Sequence, residues 1–338
     1  MTCARLYTHQ YVRKTTQGYQ VRPCCISTGV QEYTNNITDL QNHKVLQDTR
    51  LAFDKGIFPE VCSRCKIKED ANKPSQRIQY NARYGTDFSL EMDGSYYGDI
   101  VDWDIRPSNT CNLKCVMCNP GWSSKWNEDV EIANKYGNFQ PTIENKSFNW
   151  DYIIEKTVGK AQRISFLGGE PFYMKEVVKL LELLSQNEYN VNNTKLRFNT
   201  NGISFNDRLW NILSKFKNHT EITFSVEGIG KLNEYIRFPS VWSEWHSNFL
   251  RCVDDYKIIQ GVNITIGAYN YPVMEEIVEY FKKYTDIIDV TYIEEPSFLT
   301  VDALTDKNKK TIMQNYFLDL DAKRGTNSKE IIPWIYND

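Results

Sequence analysis

The run CNLKCVMC places Cys111, Cys115 and Cys118 on one tight loop, with three residues between the first pair and two between the second. Thiolates are soft ligands, and cysteines this close together in a chain expected to stay in a reducing compartment point to a metal or cluster rather than to a disulfide framework. A closed zinc site takes four protein ligands, and iron–sulfur clusters are ordinarily held by four cysteines. This loop has three, and the next cysteine downstream, Cys252, is more than a hundred residues away. A cluster held by three thiolates leaves one iron open to a ligand that is not protein. The open corner is where chemistry would take place.

Five further cysteines lie in the first 65 residues: Cys3, the pair Cys24 and Cys25 in RPCC, and Cys62 and Cys65 in PEVCSRC. Counting gives Cys3, Cys24, Cys62 and Cys65 as a full four-ligand set, with Cys25 as spare or substitute. Such a set suits a second four-iron cluster, and its C-x-x-C suits zinc as well. Full ligation would imply electron transfer or a structural role; an open iron would imply substrate binding. Cys252, inside the helical pattern FLRCVDD, is expected to be a packed thiol. His9, His43, His219 and His246 are scattered, match no metal spacing and are given no role.

These side chains need a framework. The 338 residues exceed the usual size of one domain, and 41% hydrophobic with 25% charged residues is ordinary globular composition. A net charge of −3 weighs against a nucleic-acid partner. No apolar run reaches membrane-spanning length, and MTCARLYTHQ lacks the apolar core of a signal peptide, so a cytoplasmic protein away from membranes is expected.

From residue 99 onward, short apolar runs alternate with amphipathic stretches. The runs are Ile100–Ile105, Arg163–Leu167, Lys195–Asn199, Glu221–Val226, Asn263–Ala268 and Asp289–Ile293, each of strand length and rich in β-branched or aromatic residues. Between them, Met174–Leu184, Asp207–Phe216, Val241–Tyr256 and Val273–Tyr284 keep helical spacing. Strand followed by helix, repeated six times, predicts an α/β fold with a parallel sheet and right-handed crossovers, a partial (β/α)6 barrel of the TIM type. In such barrels chemistry sits at the C-terminal strand ends. The cysteine loop follows the first strand, Gly168-Gly169-Glu170 the second and Thr200-Asn201-Gly202 the third.

CNLKCVMC followed one strand later by GGEP, on a six-strand rhythm, resembles the radical SAM superfamily. The resemblance implies a [4Fe-4S] cluster on Cys111, Cys115 and Cys118, with S-adenosylmethionine chelated at the open iron. It implies that one electron from the cluster cleaves the cofactor to methionine and a 5′-deoxyadenosyl radical, which takes hydrogen from a substrate. Residue by residue, it places Met117 near the adenine, Gly168 and Gly169 against the methionine moiety, and Glu170 as acceptor from its ammonium. Thr200 and Asn201 fall in a cofactor-facing turn. Ser225 resembles the serine of an S-x-D-G strand end, although Glu227 stands where Asp is usual. Arg237 is a candidate partner for the cofactor carboxylate, and Asn270 a weaker one. No catalytic acid, base or hydrogen donor is assigned.

The pattern C…G…PCC…G…P-x-x-C-x-x-C in the first 65 residues resembles the twitch or SPASM auxiliary-cluster module of many radical SAM enzymes. It departs from the module in preceding the barrel, and in having five rather than four residues between Gly18 and Cys24. The expected organisation is residues 1–70 as auxiliary module, 71–98 as connector, 99–300 as radical SAM partial barrel and 301–338 as a C-terminal helical extension. Modules of this type often accompany action on peptides, so the resemblance implies an oxidoreductase that oxidises, crosslinks or epimerises a peptide or protein side chain, with a flavodoxin or ferredoxin as electron donor. The alternatives are a small metabolite or sugar as substrate, and a catalytically silent protein that binds cluster and cofactor.

Overall fold

The computed structural model describes residues 1–137, 148–216, 218, 220–255 and 258–337. The chain folds into two compact bodies, the first made of residues 1–108, 145–166 and 182–196, the second of 109–144, 167–181 and 197–338.

The first body is built on five strands, β1 (His9–Thr15), β2 (Gly18–Val21), β3 (Glu32–Thr34), β4 (Asp102–Arg106) and β5 (Arg163–Phe166), in the order β3-β2-β1-β4-β5. β1 and β2 form an antiparallel hairpin, with Lys14 opposite Tyr19, and β2 continues antiparallel to β3. β1 also runs parallel to β4, with His9 beside Asp102 and Arg13 beside Arg106, and β4 runs parallel to β5. The Cys-rich N-terminus therefore contributes three strands, β1, β2 and β3, to the sheet. Its core is Cys3, Leu6, Tyr7 and Phe53, with Tyr7 stacked on Phe88 at 4.5 Å. Fully buried Arg50, on the helix Lys44–Asp54, donates to the carbonyls of Leu6, Gln41 and Gly94 and so ties three separate segments together. The polar stretch 71–98, expected to be a connector, carries a helix, Gln76–Tyr84, opened by Ser75, whose hydroxyl accepts from the Ile78 N–H.

The second body holds β6 (Lys195–Thr200, its first two residues counted with the first body), β7 (Thr220–Ser225), β8 (Ile258–Ile266) and β9 (Ile288–Tyr292), all parallel and in chain order. The α/β class with parallel strands and helical crossovers is the one expected from the sequence. Strand parity decides which face is covered. Ile222 and Phe224 of β7 are buried, while Glu221, Thr223 and Ser225 on the opposite face are half-buried. The apolar face packs on the helix Trp242–Asp254, whose Trp245, Phe249 and Cys252 recur at helical spacing and are fully buried. Cys252 is thus a packed thiol. The C-terminal helix, Lys307–Arg324, starts at Asp306, whose carboxylate accepts from the N–H groups of Asn308 and Lys309, and ends at Gly325 in the left-handed conformation. Its Met313, Tyr316, Phe317 and Leu320 join Val116, Trp126, Tyr269 and Leu299 in one core.

Of the histidines, His9 is buried in β1, His43 caps a helix, and His246 bonds Tyr280; His219 lies outside the described residues. No helix among the described residues is long and apolar enough to cross a membrane.

Candidate cluster and cofactor site

The cysteine loop is held from outside by its backbone. The main-chain N–H of Lys114 donates to Phe238 O at 2.7 Å and that of Val116 to Ile236 O at 2.8 Å. Trp126 Nε1 donates to Cys115 O at 3.0 Å, and the Tyr316 hydroxyl to Val116 O at 2.6 Å. Lys114 is anchored by an ion pair with buried Asp129, which also pairs with Arg324. With these carbonyls and amides spent on the protein, the thiols remain as the loop's soft ligand groups, each meeting only weak, long contacts. Cys111 Sγ accepts from the Leu113 N–H at 3.5 Å, a two-residue turn that presets a thiolate acceptor. Burial pushes all three thiols up, Cys111 to about 12. A site that disfavours free thiolates holds them when a cation neutralises them, so loading would release protons.

Gly168 and Gly169 both have positive φ, +78° and +42°. Gly169 has a further reason to be glycine: a Cβ there would stand 2.2 Å from Thr110 O. The next residue uses that closeness, because the Glu170 N–H donates to Thr110 O at 2.8 Å. The Gly-Gly turn is thereby fixed to the residue before Cys111.

Glu170 itself is fully buried. One carboxylate oxygen accepts from the Phe172 N–H at 3.1 Å and the Thr200 hydroxyl at 2.7 Å; the other accepts from the Asn201 N–H at 2.6 Å. Burial pushes its carboxyl up to about 7, against the three donors, which lower it. The sequence points Glu170 at a cofactor ammonium; in the structure its oxygens fasten the turn after β6 to the turn after β5. Asn201 completes the link, its Nδ2 donating to Asn112 Oδ1 at 2.7 Å and lying 3.8 Å from Cys111 Sγ. Thr110, Asn112, Glu170, Thr200 and Asn201 are one hydrogen-bonded unit around Cys111.

Arg237 is held by a bidentate pair with fully buried Glu227, Nη2 donating to Oε1 at 2.8 Å and Nε to Oε2, while Nη1 is 3.9 Å from Cys115 Sγ. Glu227 Oε1 also accepts from the Thr265 N–H, and Asn270 Nδ2 donates to Glu227 O at 3.0 Å. Arg237 thus meets a thiol and a carboxylate of its own chain, and Asn270 is a brace behind them. Ser225 ends β7, half-buried beside Asn263, and Met117 packs at the edge of the Tyr316 core; both stand outside this hydrogen-bond network. Thr110 and Asn270's bracing role had no motif to mark them, and Asn112, though inside CNLKCVMC, was not singled out there.

In the first body, Cys3, Cys24, Cys62 and Cys65 line one small cavity. Gln76 and Arg77, from the helix in the stretch 71–98, line it as well. Thr28 N–H donates to Val61 O at 3.1 Å, tying the RPCC loop to the C-x-x-C turn. The two-residue turn seen at Cys111 recurs here: the Arg5 N–H donates to Cys3 Sγ and the Ile26 N–H to Cys24 Sγ. Burial pushes these thiols up, Cys3 to about 12. Cys25 is not among the lining residues, and its Sγ accepts from Arg5 Nη2 at 3.4 Å. Among the described residues, no group of three or more His, Cys, Asp or Glu side chains is gathered around a point suited to a single metal ion.

The model of the radical SAM superfamily matches residues 105–284, more than half of the chain, and the chain belongs to that superfamily. Its members are enzymes whose cofactors are a four-iron cluster and S-adenosylmethionine, and a loop of three thiols beside a glycine turn that admits no Cβ fits both groups. Among solved structures, one described as native anSMEcpe with bound AdoMet aligns at 17% identity over 67% of this chain and 62% of its own, with a TM-score of 0.44. Streptococcus suis SuiB bound to precursor peptide SuiA aligns at 15% identity over 79% and 60%, with a TM-score of 0.43. The chain spans about three fifths of the length of each. No curated protein sequence matches it.

Proposed function

We propose that the chain is a radical SAM oxidoreductase acting on a peptide or protein side chain, with Cys111, Cys115 and Cys118 holding the cluster that binds S-adenosylmethionine. When bound, these two groups supply an electron and a scissile carbon–sulfur bond, yielding the 5′-deoxyadenosyl radical that takes hydrogen from the substrate. The chain's own residues position. Gly168 and Gly169 let backbone come close to the cofactor, Glu170 keeps the turns after β5 and β6 in register, and Asn201 braces the first cysteine. Arg237 brings a positive charge to Cys115, and Met117 and Ser225 remain candidates for the adenine and ribose. The observation that carries the reading is the Glu170-centred unit, which fastens both turns to the cysteine loop.

The cysteine cavity of the first body supports a second, auxiliary [4Fe-4S] cluster on Cys3, Cys24, Cys62 and Cys65. On this reading residues 1–70 are a twitch- or SPASM-like module, joined by the helix Gln76–Tyr84 of the stretch 71–98, ahead of the radical SAM portion 99–300 and the extension 301–338. That module, and the modification chemistry it resembles, favours a peptide substrate over a metabolite, with a low-potential carrier such as flavodoxin or ferredoxin as electron source. The nine free cysteines suit a cytoplasmic setting.

Anaerobic reconstitution followed by dithionite and S-adenosylmethionine tests the enzyme reading. Release of 5′-deoxyadenosine, abolished by Cys115→Ala, is expected. A loaded cluster without 5′-deoxyadenosine would make the chain a silent binding protein instead. Mass spectrometry of candidate peptides after turnover, compared with small-molecule substrates, separates the substrate classes.

A further inference from the structure

We infer that Arg5 is the charge-compensating N–H donor to a four-thiolate cluster in the cysteine cavity, and that Cys25 lies outside its ligand set; this rests on the auxiliary-cluster reading of that cavity. Arg5 is in the cavity wall and only 6% exposed. Its Nη1 donates to Gln76 Oε1, and its Nη2 lies 3.1 Å from His9 Nε2 and 3.4 Å from Cys25 Sγ. The ring of Tyr80 lies under the guanidinium at 4.5 Å. The third nitrogen, Nε, is buried and has no partner.

None of these neighbours is a carboxylate. His9 supplies no charge either way, because burial and the surrounding arginines hold its imidazole neutral. The other two arginines of the wall differ. Arg77 is met by Glu69 through two of its nitrogens, and Arg64 is exposed to solvent. Arg5 is the buried cation of the wall with no carboxylate in direct contact and one N–H unmet; the nearest acidic group acting on it, Asp102, is bonded by the Tyr80 hydroxyl and reaches it only through space. A buried charge without a contacting counter-charge and an unmet N–H are both costly arrangements. Four thiolates around a four-iron, four-sulfide core carry a net double negative charge when oxidised, and a triple one after taking an electron from a low-potential carrier. Such a cluster answers both deficits of Arg5. Net charge and hydrogen bonds to sulfur are among the factors that set cluster potentials, so Arg5 favours the reduced form. Cys25, engaged by Arg5 outside the lining, shares the arginine and binds no iron.

The test uses the full chain carrying Cys111→Ala, Cys115→Ala and Cys118→Ala, reconstituted anaerobically with iron and sulfide, so that the cavity alone reports. Absence of iron and sulfide, or zinc in their place, overturns the cavity reading itself. With a cluster present, dithionite titration followed by EPR is expected to show the reduction equilibrium at least tenfold less favourable in R5Q, about 59 mV for one electron. R5K should restore most of it. An unchanged midpoint in R5Q overturns the inference. A second readout leaves Arg5 intact: pulsed EPR of protein grown on arginine isotopically labelled in its guanidinium nitrogens should show coupling to the cluster spin, and its absence overturns the inference. Cys25→Ser should leave iron content and EPR signal as they were; loss of the cluster there puts Cys25 among the ligands and overturns that part.

Discussion

Cys115 and Arg237 face each other across two chain segments joined on either side of them, by Lys114 N–H to Phe238 O at 2.7 Å and by Val116 N–H to Ile236 O at 2.8 Å. The pairing fixes Arg237 Nη1 3.9 Å from Cys115 Sγ and leaves the other two nitrogens to Glu227. Removing one member of a buried pair strands the other charge, at a cost of about 3–5 kcal/mol, whereas removing both relieves it. R237Q should therefore be strongly destabilised, and the double variant R237Q/E227Q less so. Urea denaturation of wild type, R237Q, E227Q and the double variant measures the coupling. Equal losses in R237Q and the double variant would show that the pair carries no such burden.

The positions of Cys115 and Arg237 were legible by residue type, but their partnership was not. Nothing in a sequence says that Glu227, standing where the family has Asp, turns inward to occupy the arginine expected at the cofactor carboxylate. The same holds for Glu170, whose partners Thr200 and Asn201 are brought to it only by the parallel register of consecutive strands. Arg5 sits in no motif at all.

Gly169→Ala should separate folding from function at the turn. The added Cβ would stand 2.2 Å from Thr110 O at a backbone φ of +42°, so the turn must move away from the residue that precedes Cys111. A side chain in that conformation costs about 1–3 kcal/mol. The expected outcome is a modest fall in melting temperature with a loss of 5′-deoxyadenosine formation of more than about tenfold, since a misplacement of an ångström near the reacting centre can cost about a hundredfold. Activity within twofold of wild type would remove the turn from the cofactor's surroundings.

Most of the strands were readable because each buries an apolar run: Arg163–Leu167 stands as Arg163–Phe166, and Glu221–Val226 as Thr220–Ser225. β8 begins earlier than expected, at Ile258, and continues through the polar residues Gln260 and Asn263. β1 was missed for a related reason. In HQYVRKT only Tyr11 and Val12 are clearly apolar, and its burial comes from lying parallel to β4 rather than from its own pattern. The helix Gln76–Tyr84 was hidden because none of its residues is fully buried; its Gln76 and Arg77 face the cysteine cavity instead of an apolar core.

Tyr316 links the C-terminal helix to the cysteine loop through a single buried hydroxyl, donated to Val116 O at 2.6 Å. Tyr316→Phe keeps the ring packing and leaves that buried carbonyl unmet, at a cost of about 1–3 kcal/mol. Iron retention at the loop should fall faster on dilution into chelator than in wild type, with little change in helix content. Chelation kinetics followed by the visible absorbance of the cluster, read beside far-UV circular dichroism, measure both. Unchanged iron release would mean that the loop is held by its other anchors, Trp126 and the Ile236–Phe238 segment.

His9 gives the first body a pH limit. Burial, and the positive charges of Arg5, Arg163 and Arg106, hold its imidazole well below the usual value of 6.5. The unfolded chain therefore binds a proton that the native state refuses once the pH drops under 6.5, and stability falls as the pH falls. The loss amounts to about 1.4 kcal/mol at pH 5.5 for this one group. Above 6.5 neither state is protonated there and the contribution is flat. Chemical denaturation at pH 5.5 and 7.5 should show the drop in wild type and a smaller one in His9→Gln, whose amide does not titrate. An equal drop in both proteins would place the acid sensitivity elsewhere, in the thiols or carboxylates of either body.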